Sequence, residues 1–155
     1  MKTDPHLIRI LAVDDHPLLR DGIAALISIA PDMQLVGACS NGREAIEQFR
    51  ALRPDVTLMD LQMPVMSGLE AIAAIRGDFP DARIIVLTTY AGDIQVVRAF
   101  KAGASAFLVK NLAHQELLDT IRSVHRGRKV SSPVSSDLAA DATDDTFPSS
   151  EGGDA

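Results

Sequence analysis

The chain has 155 residues, enough for one domain, and is 46% apolar with 4% aromatics and no tryptophan, so any core is aliphatic. Its net charge of −6 argues against binding nucleic acid through overall charge, and its single cysteine, Cys39, excludes a disulfide framework or a cysteine-rich zinc site. No uncharged apolar run approaches the roughly 18 residues of a membrane span, and the stretch from Leu7 to Val13, broken by Arg9, is too short for a signal peptide, so a soluble cytoplasmic protein is expected.

Residues 1–6 form a polar arm ahead of the first apolar run, Leu7 to Val13. Helical spacing follows at Leu19, Ile23, Leu26 and Ile27, with Pro17 in the first turn, where its missing N–H costs nothing. A second run, Leu35 to Cys39, precedes the stripe Ala45, Ile46 and Phe49. Pro54 breaks the chain before the third run, Val56 to Met59, and Leu69, Ile72, Ile75 and Phe79 make the next stripe. After Pro80 come the fourth run, Ile84 to Leu87, and the stripe Val96, Val97 and Phe100, with Gly103 placed to cap it. The fifth run, Ala106 to Val109, leads to Leu117, Ile121 and Val124. Ala113 stands where a capping box needs Ser or Thr three residues before Glu116, which predicts fraying at that helix start.

The charge is unevenly spread. Residues 1–130 hold fifteen acids and fifteen bases, whereas residues 131–155 hold six acids, no base, six serines and only three large apolar residues, Val134, Leu138 and Phe147. Such a segment buries too little apolar surface to offset the entropy of ordering. A folded domain over 7–130 and a disordered acidic, serine-rich tail over 131–155 are therefore expected.

Near-continuous apolar strands alternating with helices predict a five-stranded parallel α/β sheet flanked by five helices, with right-handed crossovers. The common open arrangement is doubly wound and flavodoxin-like, with strand order 2-1-3-4-5, and ligands bind at the carboxyl ends where that order reverses. The first strand ends in Asp14-Asp15 and the third in Asp60, so three distant carboxylates would converge there. Like charges about 4 Å apart repel by roughly 4 kcal/mol at an effective dielectric near 20, which calls for a compensating cation. Hard carboxylate oxygens, read as having no His or Cys ligand nearby, suit Mg²⁺. Lys110 after the fifth strand and Thr88 at the end of the fourth could reach the same edge.

A carboxylate can act as a nucleophile toward phosphorus, and phosphoryl transfer needs mainly positioning and charge neutralisation. Asp60, alone on its strand, is the better nucleophile, leaving Asp14 and Asp15 for metal. Taken singly, each group also has a plain structural reading: Asp as a helix N-cap, Lys as a solvated charge, Thr as a β-former.

At these residues the sequence resembles the receiver domains of bacterial two-component response regulators. The matching pieces are Val13-Asp14-Asp15-His16, then Leu58-Met59-Asp60-Leu61-Gln62-Met63-Pro64 with Gly68, then Leu87-Thr88-Thr89, and Gly103 through Lys110. The resemblance implies that Asp60 accepts phosphate from a phosphohistidine on a sensor histidine kinase. It implies that Asp15 binds Mg²⁺ directly, Asp14 more loosely through water, and that the Gln62 backbone carbonyl completes the site. It implies stabilisation of the phosphoryl group by Thr88 and Lys110, an inward-rotating switch aromatic at Phe107, and control of phosphate lifetime by Gln62 and Tyr90. No turnover of an external substrate is expected.

Lys110-Asn111 and the ending Glu116 to Arg122 are similar to the NarL/FixJ branch. In that branch the first and fifth helices often form a homodimer face, which would suit Leu117 and Ile121 if an apolar row stays exposed. Members usually continue into a helix-turn-helix domain, so transcriptional control through DNA is expected only through a domain absent from this chain. A stand-alone receiver acting by protein contact or as a phosphate sink is the alternative. An aspartate-nucleophile phosphatase would need a second Asp where Gln62 stands, and a nucleotide-binding oxidoreductase would need a glycine-rich phosphate loop where Asp14-Asp15-His16-Pro17 follows the first strand. His16 reads as a helix-start residue rather than a ligand, Cys39 as a small buried hydrophobe, and Arg122, Arg126, Arg128 and Lys129 as a solvated end or a partner for the acidic tail.

Overall fold

Val-, Ile- and Leu-rich runs pair into strands, and the amphipathic segments between them wind as helices that cover the sheet. The computed structural model describes residues 7–110 and 114–127. The expected arm (1–6), acidic tail (131–155), Arg128, Lys129 and the frayed start at Ala113 lie outside those residues. In chain order the elements are β1 (Ile8–Val13), α1 (Pro17–Ile29), β2 (Met33–Cys39), α2 (Gly42–Leu52), β3 (Val56–Asp60), α3 (Gly68–Asp78), β4 (Ile84–Thr88), α4 (Ile94–Ala102), β5 (Ala106–Val109) and α5 (His114–His125).

All pairings are parallel, in the expected order β2-β1-β3-β4-β5. Side chains alternate between the two sheet faces, so two apolar cores form. Ile10, Leu58 and Leu108 pack with α1 and α5 on one face, and Leu11, Met59 and Val86 pack with α2, α3 and α4 on the other. β3 and β4 are buried at every position.

Local chemistry sets the helix ends. Asn41 accepts from the Glu44 N–H at the start of α2, and Ser67 with Glu70 forms a full capping box on α3. Asp93 caps α4, which ends on Gly103 at φ +118°, a conformation glycine adopts without penalty.

Four details differ from the sequence expectation. β2 is an edge strand whose middle is only half-buried. Val97 is 49% exposed: α4 buries Val96 and Ala99, and one further residue turns about 100° away from that face. Leu117, Ile121 and Val124 are all buried in the core, so they leave no exposed apolar row on α5. Nor is Arg122 a free cation at the helix end. Its Nε and Nη2 donate to the two carboxylate oxygens of Asp32 at 2.8 and 3.0 Å, tying α5 to the α1–β2 turn.

The register positions the carboxyl edge. Val13 pairs with Met59, so Asp14 and Asp60 stand at the same level on adjacent strands. Asp60 pairs with Leu87 and Thr88 with Val109, so Thr88 and Lys110 each lie one step further along. Gly68 holds the returning chain against this edge: its N–H donates to the Leu61 carbonyl, and a Cβ there would overlap the Asp60 carbonyl oxygen. Between them, Val65 takes φ +69° in a strained turn closed by the Met66 N–H on the Pro64 carbonyl.

Gly68→Ala is expected to lower stability by about 2 kcal/mol or more, because backbone must move. Gly22→Ala, on an exposed helical site with nothing within 4 Å of the added carbon, is expected to raise it by about 0.4–1 kcal/mol. Urea midpoints of the two variants against the wild type check both signs.

Candidate functional site

Two carboxylates at the carboxyl edge are withdrawn from water. Asp14 is fully buried and Asp60 is 2% exposed, while Asp15 lies half-buried beside them. Lys110, at the end of β5, reaches back between them: its Nζ lies 3.0 Å from Asp14 Oδ2 and 3.0 Å from Asp60 Oδ1. One ammonium therefore holds two acidic strand ends together. With Asp15 counted, three carboxylates face one ammonium, a formal excess of two negative charges.

Hydrogen bonding leaves part of this charge uncompensated. Asp60 Oδ1 accepts from the Gln62 N–H at 3.3 Å. Asp60 Oδ2, Asp14 Oδ2 and Asp15 Oδ1 are buried and accept no aligned hydrogen bond, although the ammonium is close to Asp14 Oδ2. Such atoms are costly unless something satisfies them. Burial, and then the charge of Asp14, push the Asp60 carboxyl above its ordinary value, against the pull of Lys110. Burial pulls Lys110 down, but its bonds to Asp14 and Asp60 outweigh this and hold it above its ordinary value. The ammonium is thus fully charged at neutral pH.

One ligand atom from each of Asp14, Asp15, His16 and Asp60 lies within 4.8 Å of the others, a spacing that could hold a metal ion. Orphaned carboxylate oxygens and an excess of negative charge fit a hard divalent cation. His16, which the sequence suggested was outside the site, is inside it: its N–H and Nδ1 both meet Asp14 Oδ1 at 2.8 Å. The signal was its position directly after two acids at a strand end. Arg20 was not singled out by sequence. It donates to the Asp14 carbonyl at 2.6 Å and so braces the same loop from one turn along α1.

The other expected residues stand around the rim. Gln62 is exposed and contributes a backbone N–H to Asp60. Thr88 is buried, and its hydroxyl is engaged with the Tyr90 backbone: Oγ1 donates to the Tyr90 carbonyl at 3.2 Å and accepts from its N–H at 3.3 Å. Tyr90 is 67% exposed on the β4–α4 loop. Phe107 is already buried, its ring edge-on to Phe100 with centroids 6.2 Å apart. Lacking a hydroxyl to bond outward, this ring is held inside by its apolar surface, so an outward starting position is not seen. Cys39 is buried as expected, and burial pushes its thiol up to about 12, leaving it unreactive.

A parallel 2-1-3-4-5 sheet with an acid cluster and a lysine at its switch point has close counterparts among known proteins. The family model for the response regulator receiver domain matches residues 10–122, and the chain belongs to that family. The response regulator protein VraR of Staphylococcus aureus is 37% identical over 126 residues, which are 81% of this chain and 60% of that protein. The chain therefore spans 60% of the length of this curated relative. Among solved structures, a LuxR-family two-component response regulator from Aurantimonas is 34% identical with a TM-score of 0.80, covering 90% of this chain and 97% of the other. The signal receiver domain of NarL from Mycobacterium tuberculosis is 32% identical with a TM-score of 0.75, covering 80% and 100%. Among the described residues no helix is long and apolar enough to cross a membrane.

Removing the ammonium should leave two buried carboxylates unpaired. Lys110→Ala is expected to cost about 3–5 kcal/mol in the absence of divalent ions, part of which added Mg²⁺ restores. Asp60→Asn should do the reverse, raising stability at neutral pH by roughly 1–3 kcal/mol by removing a buried charge with an unsatisfied oxygen. Because the folded-state value of Asp60 is raised, the fold gains by its protonation as pH falls and loses that gain as pH rises through the raised value. The advantage of Asp60→Asn should accordingly shrink as pH approaches the ordinary carboxylate value of 3.8. Thermal melts across pH check the slope.

Proposed function

We propose that this chain is a phosphorylation-driven signalling switch whose phosphoacceptor is Asp60. The observation that carries this reading is the buried Asp60 carboxylate with Oδ2 unpartnered and Oδ1 beside the Lys110 ammonium. The donor is a phosphohistidine on a sensor histidine kinase. A carboxylate oxygen of Asp60 bonds to phosphorus as the phosphorus–nitrogen bond to the imidazole breaks, and the imidazole leaves with the electron pair. Lys110 neutralises a phosphoryl oxygen, and Thr88 gives up its bond to the Tyr90 carbonyl to donate to another. That exchange draws the β4–α4 loop inward, which couples the site to the surface of α4.

Mg²⁺ is the cation this reading assigns to the site. Asp15 and Asp60 would hold it directly, Asp14 through water, and the Gln62 backbone carbonyl would complete the set. When bound, it neutralises charge on the transferring group. Gln62 and Tyr90, both exposed at the rim, govern how readily water reaches the acyl phosphate. The protein assists its own phosphorylation and dephosphorylation but turns over no external substrate. It works in the cytoplasm, where kinase and Mg²⁺ are available.

The output is a changed partner face. A homodimer through α1 and α5 is supported by a largely apolar groove of about 560 Å³ between them, lined by Leu19, Leu26 and Ile29 of α1 and Leu117 of α5. Of the lining residues, Ile29 of α1 is 74% exposed, whereas Leu117 of α5 is buried. Transcriptional control would run through a helix-turn-helix domain outside this chain. Incubation with Mg²⁺ and acetyl phosphate should add the mass of one phosphoryl group, absent in Asp60→Asn and without Mg²⁺. No mass gain in the wild type under these conditions would remove the reading. Steady hydrolysis of a generic phosphate ester would favour a phosphatase instead.

A further inference from the structure

The amino edge of the sheet, opposite the acid cluster, carries a polar cavity of about 370 Å³. It lies where the turn after α3 enters β4 and where α5 ends, and Arg76, Asp81, Arg83, Ser105 and Gly127 line it, with Val124 in its apolar wall. Ser105, just ahead of β5, is held there by its N–H on the Ile84 carbonyl.

Two guanidiniums are fixed in this wall. Arg76 Nη1 donates to the Pro80 and Ala82 carbonyls, and its stem crosses Gly103 so closely that a Cβ there would overlap Nε. Arg83 Nη1 donates to the His125 carbonyl at the end of α5. Backbone carbonyls fix where the two groups stand but cancel no charge, and each guanidinium has further N–H donors. Arg50 pairs with Asp78 and Arg122 with Asp32, whereas among the described residues Arg76 and Arg83 form no ion pair. The one acid in the lining, Asp81, is exposed.

Rigid forks of this kind suit oxyanions, because their side chains are ordered on folding and not on binding. A carboxylate satisfies one fork. A phosphate group carries nearly two charges and three acceptor oxygens, enough for both arginines and the Ser105 hydroxyl. The cavity is larger than one phosphate group and falls within the roughly 300–1,000 Å³ of small-molecule sites.

We propose that this cavity binds a small phosphorylated molecule, its phosphate held by Arg76, Arg83 and Ser105. The site is separate from the phosphoacceptor, at the other edge of the sheet.

Titration of the full chain with inorganic phosphate, followed by amide NMR in Mg²⁺-free buffer, tests this. Without Mg²⁺ the acid cluster at the carboxyl edge repels the anion. The Ser105 and Gly127 resonances of the wild type should shift and saturate. Arg76→Gln and Arg83→Gln should each weaken binding about tenfold or more. Asp81→Asn should tighten it severalfold by removing the opposing charge, and it breaks none of the bonds that brace the two arginines, so this gain is readable even where an arginine variant fails to fold. Asp60→Asn, at the other edge, and Arg126→Gln, outside the lining, should leave the affinity unchanged. No saturable shift at either amide in the wild type, or no gain in Asp81→Asn, would overturn the inference. A loss in Arg126→Gln equal to that in the other arginine variants would mark general attraction to a basic surface and overturn it too.

Discussion

A single ammonium between two buried carboxylates is the constraint on which the carboxyl edge depends. Asp14 and Asp60 end adjacent strands at the same level, and neither can move without breaking the sheet's register. Their mutual repulsion is offset by Lys110, 3.0 Å from each, which the β4–β5 pairing delivers one step beyond Thr88. One positive charge does not balance two buried acids and the half-buried Asp15. The remainder shows in Asp60 Oδ2 and Asp15 Oδ1, buried without a hydrogen bond, and in an Asp60 carboxyl held above its ordinary value by burial. A stable aliphatic core on both faces of the sheet carries this local cost.

That imbalance has a functional reading in a receiver domain. On the proposed mechanism, the unsatisfied oxygens are what a divalent ion and a phosphoryl group occupy, and the free energy they recover becomes available to shift conformation. Moving a two-state switch from one part in a hundred to ninety-nine requires about 5.5 kcal/mol of differential stabilisation. Lys110, Thr88 and the cation are the groups through which it would come. Phe107 constrains how it is spent: the ring is already buried against Phe100, so phosphorylation would have less aromatic motion to drive. The Thr88–Tyr90 contact, a pair of long hydrogen bonds at the loop start, is the more adjustable element.

Much of the fold was legible because the strands are short apolar runs separated by helix-period stripes and by Pro54, Pro80 and Gly103. Strict β/α alternation gives a parallel sheet, and the convergence of Asp14, Asp60 and Lys110 at one edge follows once the common open order 2-1-3-4-5 is taken. What sequence did not reveal depends on details that periodicity does not carry. Val97 belongs to an apolar stripe by type, but one residue of phase turns it to solvent. Leu117 and Ile121 look available for a partner until the packing of α5 buries them. Arg122 reads as a terminal cation, yet Asp32, ninety residues away, binds it. His16 reads by sequence as an ordinary helix-start residue; only its ring direction brings it among the acids.

A crystal structure grown with Mg²⁺ tests the central claim most directly. A single ion, about 2.0–2.1 Å from carboxylate oxygens of Asp15 and Asp60 and with Lys110 still bridging Asp14 and Asp60, is the expected result. A well-ordered carboxyl edge with no ion between these acids at saturating Mg²⁺, or with Asp60 bonded away from the cluster, would contradict it.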